Sequence, residues 1–156
     1  MKTILLSALA ALALSGCAAM APEPASKEMK IAFDITDGNT QALLLKLTVI
    51  DLTRKQLLEK GITPKMVIAF RGDASYFTQT NLAMVKEADR ADALAIATKL
   101  KALRKASGVE ALEQCNVPLA SRKLKPADLM QEVKLVQNGW ISLAEYQAKG
   151  YSYIVP

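Results

Sequence analysis

Gly108-Val109-Glu110-Ala111-Leu112-Glu113-Gln114-Cys115-Asn116-Val117-Pro118 reads as a helix stop, a short strand, a cysteine at the strand's end and a turn into another helix. In an open α/β sheet, ligands and chemistry gather beyond the carboxyl ends of the strands. The positive end of a helix dipole at such a place favours a thiolate over a thiol. Cys115 is therefore the candidate reactive group. The competing reading is a small buried hydrophobe, which free cysteines commonly are.

Outward from this stretch, strands and helices alternate. Upstream, Ala93, Ile96, Ala97, Leu100 and Leu103 follow helical spacing between Asp89 and Ser107, and Gly108 stops the helix. Asp89 and Asp92 near its start, and Lys101, Arg104 and Lys105 near its end, suit the helix dipole. Lys65–Phe70 is a nearly continuous apolar run, as in a strand covered on both faces, and Arg71-Gly72 closes it. Asp73–Glu87 reads as a long connection with a short helix. A helix is predicted over Gln41–Lys60, ended by Gly61. Its first half is apolar almost all round, which implies cover on a second side, by another subunit or by crowding loops. Met29–Thr36 alternates as a strand. Downstream come a helical turn at Pro118–Ser121, a basic cluster at Arg122–Lys125, a turn at Pro126–Leu129, and a strand at Val133–Val136. Asn138-Gly139 ends that strand; a helix over Trp140–Lys149 and a last strand over Tyr151–Val155 follow.

This alternation predicts an α/β domain: a flavodoxin-like parallel sheet of about five strands with helices on both faces. Right-handed crossovers bring the turns at Thr36–Thr40, Arg71–Asp73, Cys115–Pro118 and Asn138–Trp140 to one edge.

The chain opens with Met1-Lys2 and an apolar run from Ile4 to Leu14, too short to span a bilayer, and then Leu14-Ser15-Gly16-Cys17. This ending resembles the bacterial lipobox. The resemblance implies a signal peptide over residues 1–16, cleavage before Cys17 and lipid on Cys17. Ala18 in place of Asp points to the periplasmic side of the outer membrane. Residues 17–28, rich in Ala, Pro, Glu and Ser, read as a lipidated tether, and residues 29–156 as the domain. Of two cysteines in 156 residues, lipidation leaves one thiol, so no internal disulfide forms. There is no histidine, which excludes Ser-His and Cys-His catalysis and the usual zinc sites. The net charge of +5 is modest and scattered, so nucleic-acid binding is not expected. Asp34 and Asp37 lack a third ligand, so no metal is expected, and no cofactor is called for.

Thr36, Gly38, Asn39 and Thr40 form a candidate anion-binding loop, similar in position to the phosphate loop of flavodoxins, with a plain turn and helix cap as the alternative. Asp37 stands where that loop would place a hydroxyl. Trp140 and Tyr76 are candidates to flank a ring, or ordinary packing residues.

Gly108-Val109 leading to Cys115, then Asp128-Leu129, Val133-Lys134-Leu135-Val136, Gly139, and Gln147 through Gly150-Tyr151-Ser152-Tyr153-Ile154 resemble the DsrE/DsrF-like family. Lys30-Ile31-Ala32-Phe33 and Val67-Ile68-Ala69-Phe70-Arg71-Gly72 are similar to its first two strands. The resemblance implies a homo-oligomer such as a trimer or hexamer, and sulfur relay. In such a relay Cys115 would take a sulfane sulfur from a donor as a persulfide and pass it to an acceptor. Donor and acceptor stay unidentified. Many relatives carry His-Gly where this chain has Arg71-Gly72; Arg71, if near Cys115, would favour the anion. Export sets this chain apart from cytoplasmic relay members, and a tethered oligomeric scaffold is the alternative.

Overall fold

The computed structural model describes residues 27–156. The leader, Cys17 and all but the last two residues of the tether lie outside them. Five strands form one parallel sheet: β1 Glu28–Ile35, β2 Thr63–Phe70, β3 Val109–Cys115, β4 Lys134–Val136 and β5 Ser152–Ile154. Four helices connect them: α1 Thr40–Glu59, α2 Arg90–Lys105, α3 Val117–Ser121 and α4 Gly139–Ala148. The expected fold class holds, and the ends differ from the sequence reading by one or two residues.

Strand order is 4-3-2-1-5. From β1 to β4 each crossover steps toward the same edge, so right-handed connections place α1, α2 and α3 on one face. The return from β4 to β5 runs the other way and places α4 on the opposite face. The side chains divide accordingly. Ile31, Phe33, Met66 and Ile68 enter the large core with Leu43, Leu47, Ile96 and Leu100. Ala32 and Ala69 point the other way and meet Leu143 of α4. This period-two alternation sends Cys115 and Glu113 of β3 to the α4 face, whereas Gln114 faces the large core.

Two helical faces are notable. The Asp73–Glu87 connection begins as a 3₁₀ segment, Gly72–Thr78, with Ala74, Ser75, Phe77 and Thr78 buried beneath β3. In α1, Leu43, Leu47, Ile50 and Leu57 are buried, but Leu45, Val49 and Leu52 remain exposed. No loop among the described residues crowds over that outer ridge, which removes one of the two covers foreseen for it. No helix among the described residues is long and apolar enough to cross a membrane.

Candidate functional site

The crossovers after β3 and β4 leave to opposite faces, so the carboxyl ends of these two strands flank the crevice where open α/β sheets take ligands. Cys115 is the last residue of β3, and Gly139 opens α4 just past β4. The Gly139 N–H donates to Cys115 Sγ at 3.1 Å. This is one of the orphan donors at a helix start, which lie at the positive end of the dipole. Asn138 caps the same helix by accepting from the Trp140 N–H at 3.0 Å.

Gly139 is glycine for lack of room. A Cβ there would lie 2.7 Å from Arg71 Cδ and 3.0 Å from Cys115 Cβ. Its backbone is not in the left-handed region, so space rather than conformation sets the requirement. Gly139 is thus wedged between the two residues that the sequence nominated.

A cleft of about 270 Å³ opens over this point. Arg71, Gly72, Cys115, Pro118, Arg122 and Trp140 are among the residues that line it. Cys115 itself is only 4% exposed. Its thiol is therefore a floor group, reached through the cleft and not from the open surface. Trp140 stands at the mouth, 70% exposed, with Arg71 Cζ 5.5 Å from its ring centroid.

Arg71 lies across Gly139 from Cys115, as the shared sheet edge implied, but its charge is already engaged. Its Nε donates to Asp34 Oδ1 at 2.8 Å and its Nη2 to Asp34 Oδ2, a bidentate pair. Asp34 is buried, and Tyr153 Oη of β5 donates to it at 2.6 Å. The hydrogen bond to Asp34 raises the Arg71 pKa further, opposed by burial, and the bond to the same carboxylate raises that of Tyr153. The field of Cys115 adds a smaller push in the same direction on Arg71. The guanidinium is thus rigid, but Asp34 offsets much of its charge. The group that touches the sulfur itself is the Gly139 N–H.

The strand end is clamped from its other face. Gln114 Nε2 donates to Ser75 Oγ at 2.8 Å and to the Cys115 carbonyl at 2.7 Å, while Thr78 Oγ1 donates to Gln114 Oε1 at 2.8 Å. Two residues back on the α4 face, buried Glu113 accepts from Ser142 Oγ and from Tyr146 Oη at 3.0 Å. Burial first, and then Glu113, push the Tyr146 pKa upward. Glu113 thereby fastens α4 to β3 three residues after the glycine that touches sulfur.

The loop with Thr36, Gly38, Asn39 and Thr40 serves its own fold. Asn39 Oδ1 accepts from the Ala42 N–H at 2.9 Å, Thr40 Oγ1 donates to Asp92 at 2.8 Å, and Lys46 pairs with Asp37. A Cβ on Gly38 would strike Asp73 Cβ at 2.7 Å. Three carboxylates, Asp37, Asp73 and Asp92, thus stand in or beside the loop, which opposes an anion there. Arg122 of the basic cluster is bridged to Asp73 at 2.7 Å, tying α3 to the 3₁₀ segment. Tyr76 lies in a different depression from Trp140, so the two do not flank one ring. No group of three metal-ligating side chains occurs among the described residues.

Glu113 was not singled out from sequence; Asp34 was weighed only as a metal ligand and Gly139 only as a strand stop and a family position, and neither was placed beside the cysteine. Their signals were present: a lone Asp ending an apolar strand, a Glu inside a buried one, and a glycine just after an asparagine cap.

The comparisons agree with this architecture. A curated relative, an uncharacterized protein of Aquifex aeolicus (strain VF5), is 28% identical over 126 residues, covering 81% of this chain and 55% of that protein. The chain thus spans about half the length of the curated relative it matches. A solved structure, a protein of unknown function from Methanobacterium thermoautotrophicum, superposes with a TM-score of 0.58 at 15% identity. That match covers 83% of this chain and 99% of the other, and shows a shared fold. A family model described as the DsrE/DsrF-like family matches residues 29–156.

Proposed function

This chain belongs to the DsrE/DsrF-like family, which is linked to sulfur relay, and from that premise we propose that it is a membrane-tethered sulfur carrier working through Cys115. The observation that carries the reading is the Gly139 N–H on Cys115 Sγ at the floor of an open cleft. A donor N–H at a helix start stabilises negative charge on sulfur, in a thiolate or in a persulfide.

The chemistry balances without a histidine. The Cys115 thiolate attacks the sulfane sulfur of a donor such as thiosulfate. The donor's S–S bond breaks and its electron pair leaves on sulfite. The new S–S bond is the Cys115 persulfide. An acceptor thiolate then attacks the outer sulfur and Cys115 leaves as thiolate. Arg71 and Trp140 wall the cleft where the donor sits. No oxidant is consumed in either step.

The anchor belongs to the same reading: lipid on Cys17 and a position on the periplasmic side of the outer membrane, supported by the Leu14–Cys17 sequence. The exposed ridge of Leu45, Val49 and Leu52 supports a homo-oligomer, a trimer or hexamer by family resemblance. The same ridge favours the second reading, an oligomeric scaffold without sulfur chemistry.

Mass spectrometry separates the two. The full chain with Cys17→Ser, incubated with thiosulfate or polysulfide, is expected to gain the mass of sulfur on Cys115 and to lose that gain in Cys115→Ser. No gain, together with alkylation of Cys115 only after unfolding, would leave the scaffold reading standing. Lipid mass on Cys17 in the wild-type chain tests the anchor.

A further inference from the structure

Charge is unevenly placed along the strand axis. Because the sheet is all parallel, one end of the domain collects the strand starts and the carboxyl ends of α1, α2 and α4. At that end Lys27, Lys60, Arg104, Lys105 and Lys149 are all exposed. None of the five is in an ion pair among the described residues. Three carboxylates accompany them, Glu28, Glu59 and Glu110, and two of these are already engaged by Lys65, at 3.3 and 3.9 Å. Arg104 and Lys105 lie in the last turn of α2, where the helix dipole accounts for them. Lys27, which precedes β1, has no such account. The opposite, cleft-bearing end also has exposed cations outside any ion pair among the described residues, Lys86, Arg90, Lys123 and Lys125, but Asp37, Asp73, Glu87, Asp89 and Asp128 stand among them. It has no comparable excess of cations.

The chain enters the domain at the basic end. β1 starts at Glu28, and only the ten residues Ala18–Lys27 separate it from Cys17. Ten residues reach at most about 35 Å when fully extended. The cleft lies beyond the far end of β1, eight residues or about 26 Å further on.

We infer that the basic end of the domain docks on the anionic phospholipid surface to which the chain is tethered, and that the Cys115 cleft consequently faces away from the bilayer. This rests on the anchoring part of the proposed function. It selects the partners of the cleft: soluble sulfur donors and acceptors arriving from the aqueous side, not lipid-dissolved ones. Each lysine or arginine near an anionic surface strengthens partition by about fivefold. The attraction fades within a Debye length of about 8 Å at physiological salt, so only the end face is felt.

The test uses residues 18–156, which lack both the apolar leader and Cys17, and the lipidated wild type reconstituted in vesicles. Co-sedimentation of the former is expected to be stronger with phosphatidylglycerol-containing vesicles than with pure phosphatidylcholine, and to fall with added salt. Lys60→Gln, Lys105→Gln and Lys149→Gln together should weaken it by about a hundredfold. Equal binding to both vesicles, or no effect of the triple variant, overturns the docking. Trp140 is the sole tryptophan, and it stands at the cleft mouth. In the lipidated protein its fluorescence should resist brominated lipid and yield to acrylamide. Quenching by brominated lipid overturns the orientation. Absence of lipid on Cys17 refutes the anchor alone, because the vesicle arm with residues 18–156 reads the basic end without it.

Discussion

Gly139→Ala perturbs the contact on which the site depends by the smallest possible amount. The added methyl would sit 2.7 Å from Arg71 Cδ, 3.1 Å from Arg71 Cγ and 3.0 Å from Cys115 Cβ. Neither neighbour yields easily. Arg71 is pinned by two hydrogen bonds to buried Asp34 and by the Trp140 ring. Cys115 is in a paired strand whose carbonyl is held by Gln114. The start of α4 must therefore retreat by several tenths of an ångström. Overpacking of this kind costs about 1–3 kcal/mol, against which alanine's helix preference returns less than about 1 kcal/mol. Net destabilisation should be about 1–2 kcal/mol, read as a shift of the urea midpoint at unchanged slope. The retreat also lengthens the N–H···S contact. Hydrogen bonds to charged groups contribute about 1.5–3 kcal/mol, so sulfur loading of Cys115 should slow by roughly tenfold or more. A variant as stable as wild type that loads at the same rate would refute both the crowding and the role given to the Gly139 N–H.

Asp34→Asn removes the partner of Arg71 from a buried position. The expected loss is about 3 kcal/mol, the low end for breaking a buried pair because Arg71 keeps some contact with water; thermal unfolding measures it. Leu45→Lys with Leu52→Glu should shift sedimentation toward monomer while leaving the unfolding midpoint within about 0.5 kcal/mol of wild type. A wild-type chain that is monomeric throughout would remove the oligomer. Burial first, and then the hydrogen bond to Glu110, push the Tyr151 pKa up to about 12 from 10.0. A raised folded-state value stabilises below the unfolded pKa and is lost as pH climbs through the folded one. Urea midpoints should therefore fall between about pH 10 and 12 more steeply in wild type than in Tyr151→Phe; the effect is modest because the ring is partly exposed. Parallel curves would argue against the Tyr151–Glu110 bond.

Much of the fold was legible because its signals are local. The alternation of Ile31, Phe33 and Ile35, the helical spacing from Ala93 to Leu103, and Gly61, Gly108 and Gly150 as stops each act within a few residues. Strand order was not legible, since it depends on which edge the last strand chooses, and the three residues Ser152–Ile154 carry little pattern. The site was half legible. Cys115 and Arg71 stand at strand ends, which is a local property. The Asp34–Arg71 pair spans thirty-seven positions and exists only because β1 and β2 are neighbours in register. Similarly, the apolar breadth of α1 announced a second surface, but only the packed domain shows that its outer ridge stays bare.

The position of the thiol follows from topology more than from its own neighbours in sequence. Had β5 added beyond β4, its crossover would have stepped the same way as the first three, and α4 would have joined α1 and α2 on the large-core face. Cys115 points to the other face, so no helix start would then meet its sulfur. Because β5 instead pairs with β1, α4 must cross the opposite face and begin at the crevice between β3 and β4. The same return delivers Tyr153 to Asp34, 119 residues away in the chain, and so fixes Arg71 from behind. The last strand thus supports the cleft without lining it. Tyr153→Phe should loosen Arg71 while leaving the Gly139 N–H in place. On that argument it slows sulfur loading less than Gly139→Ala does; the reverse ranking would mean that the guanidinium, and not the helix start, is what holds charge on Cys115.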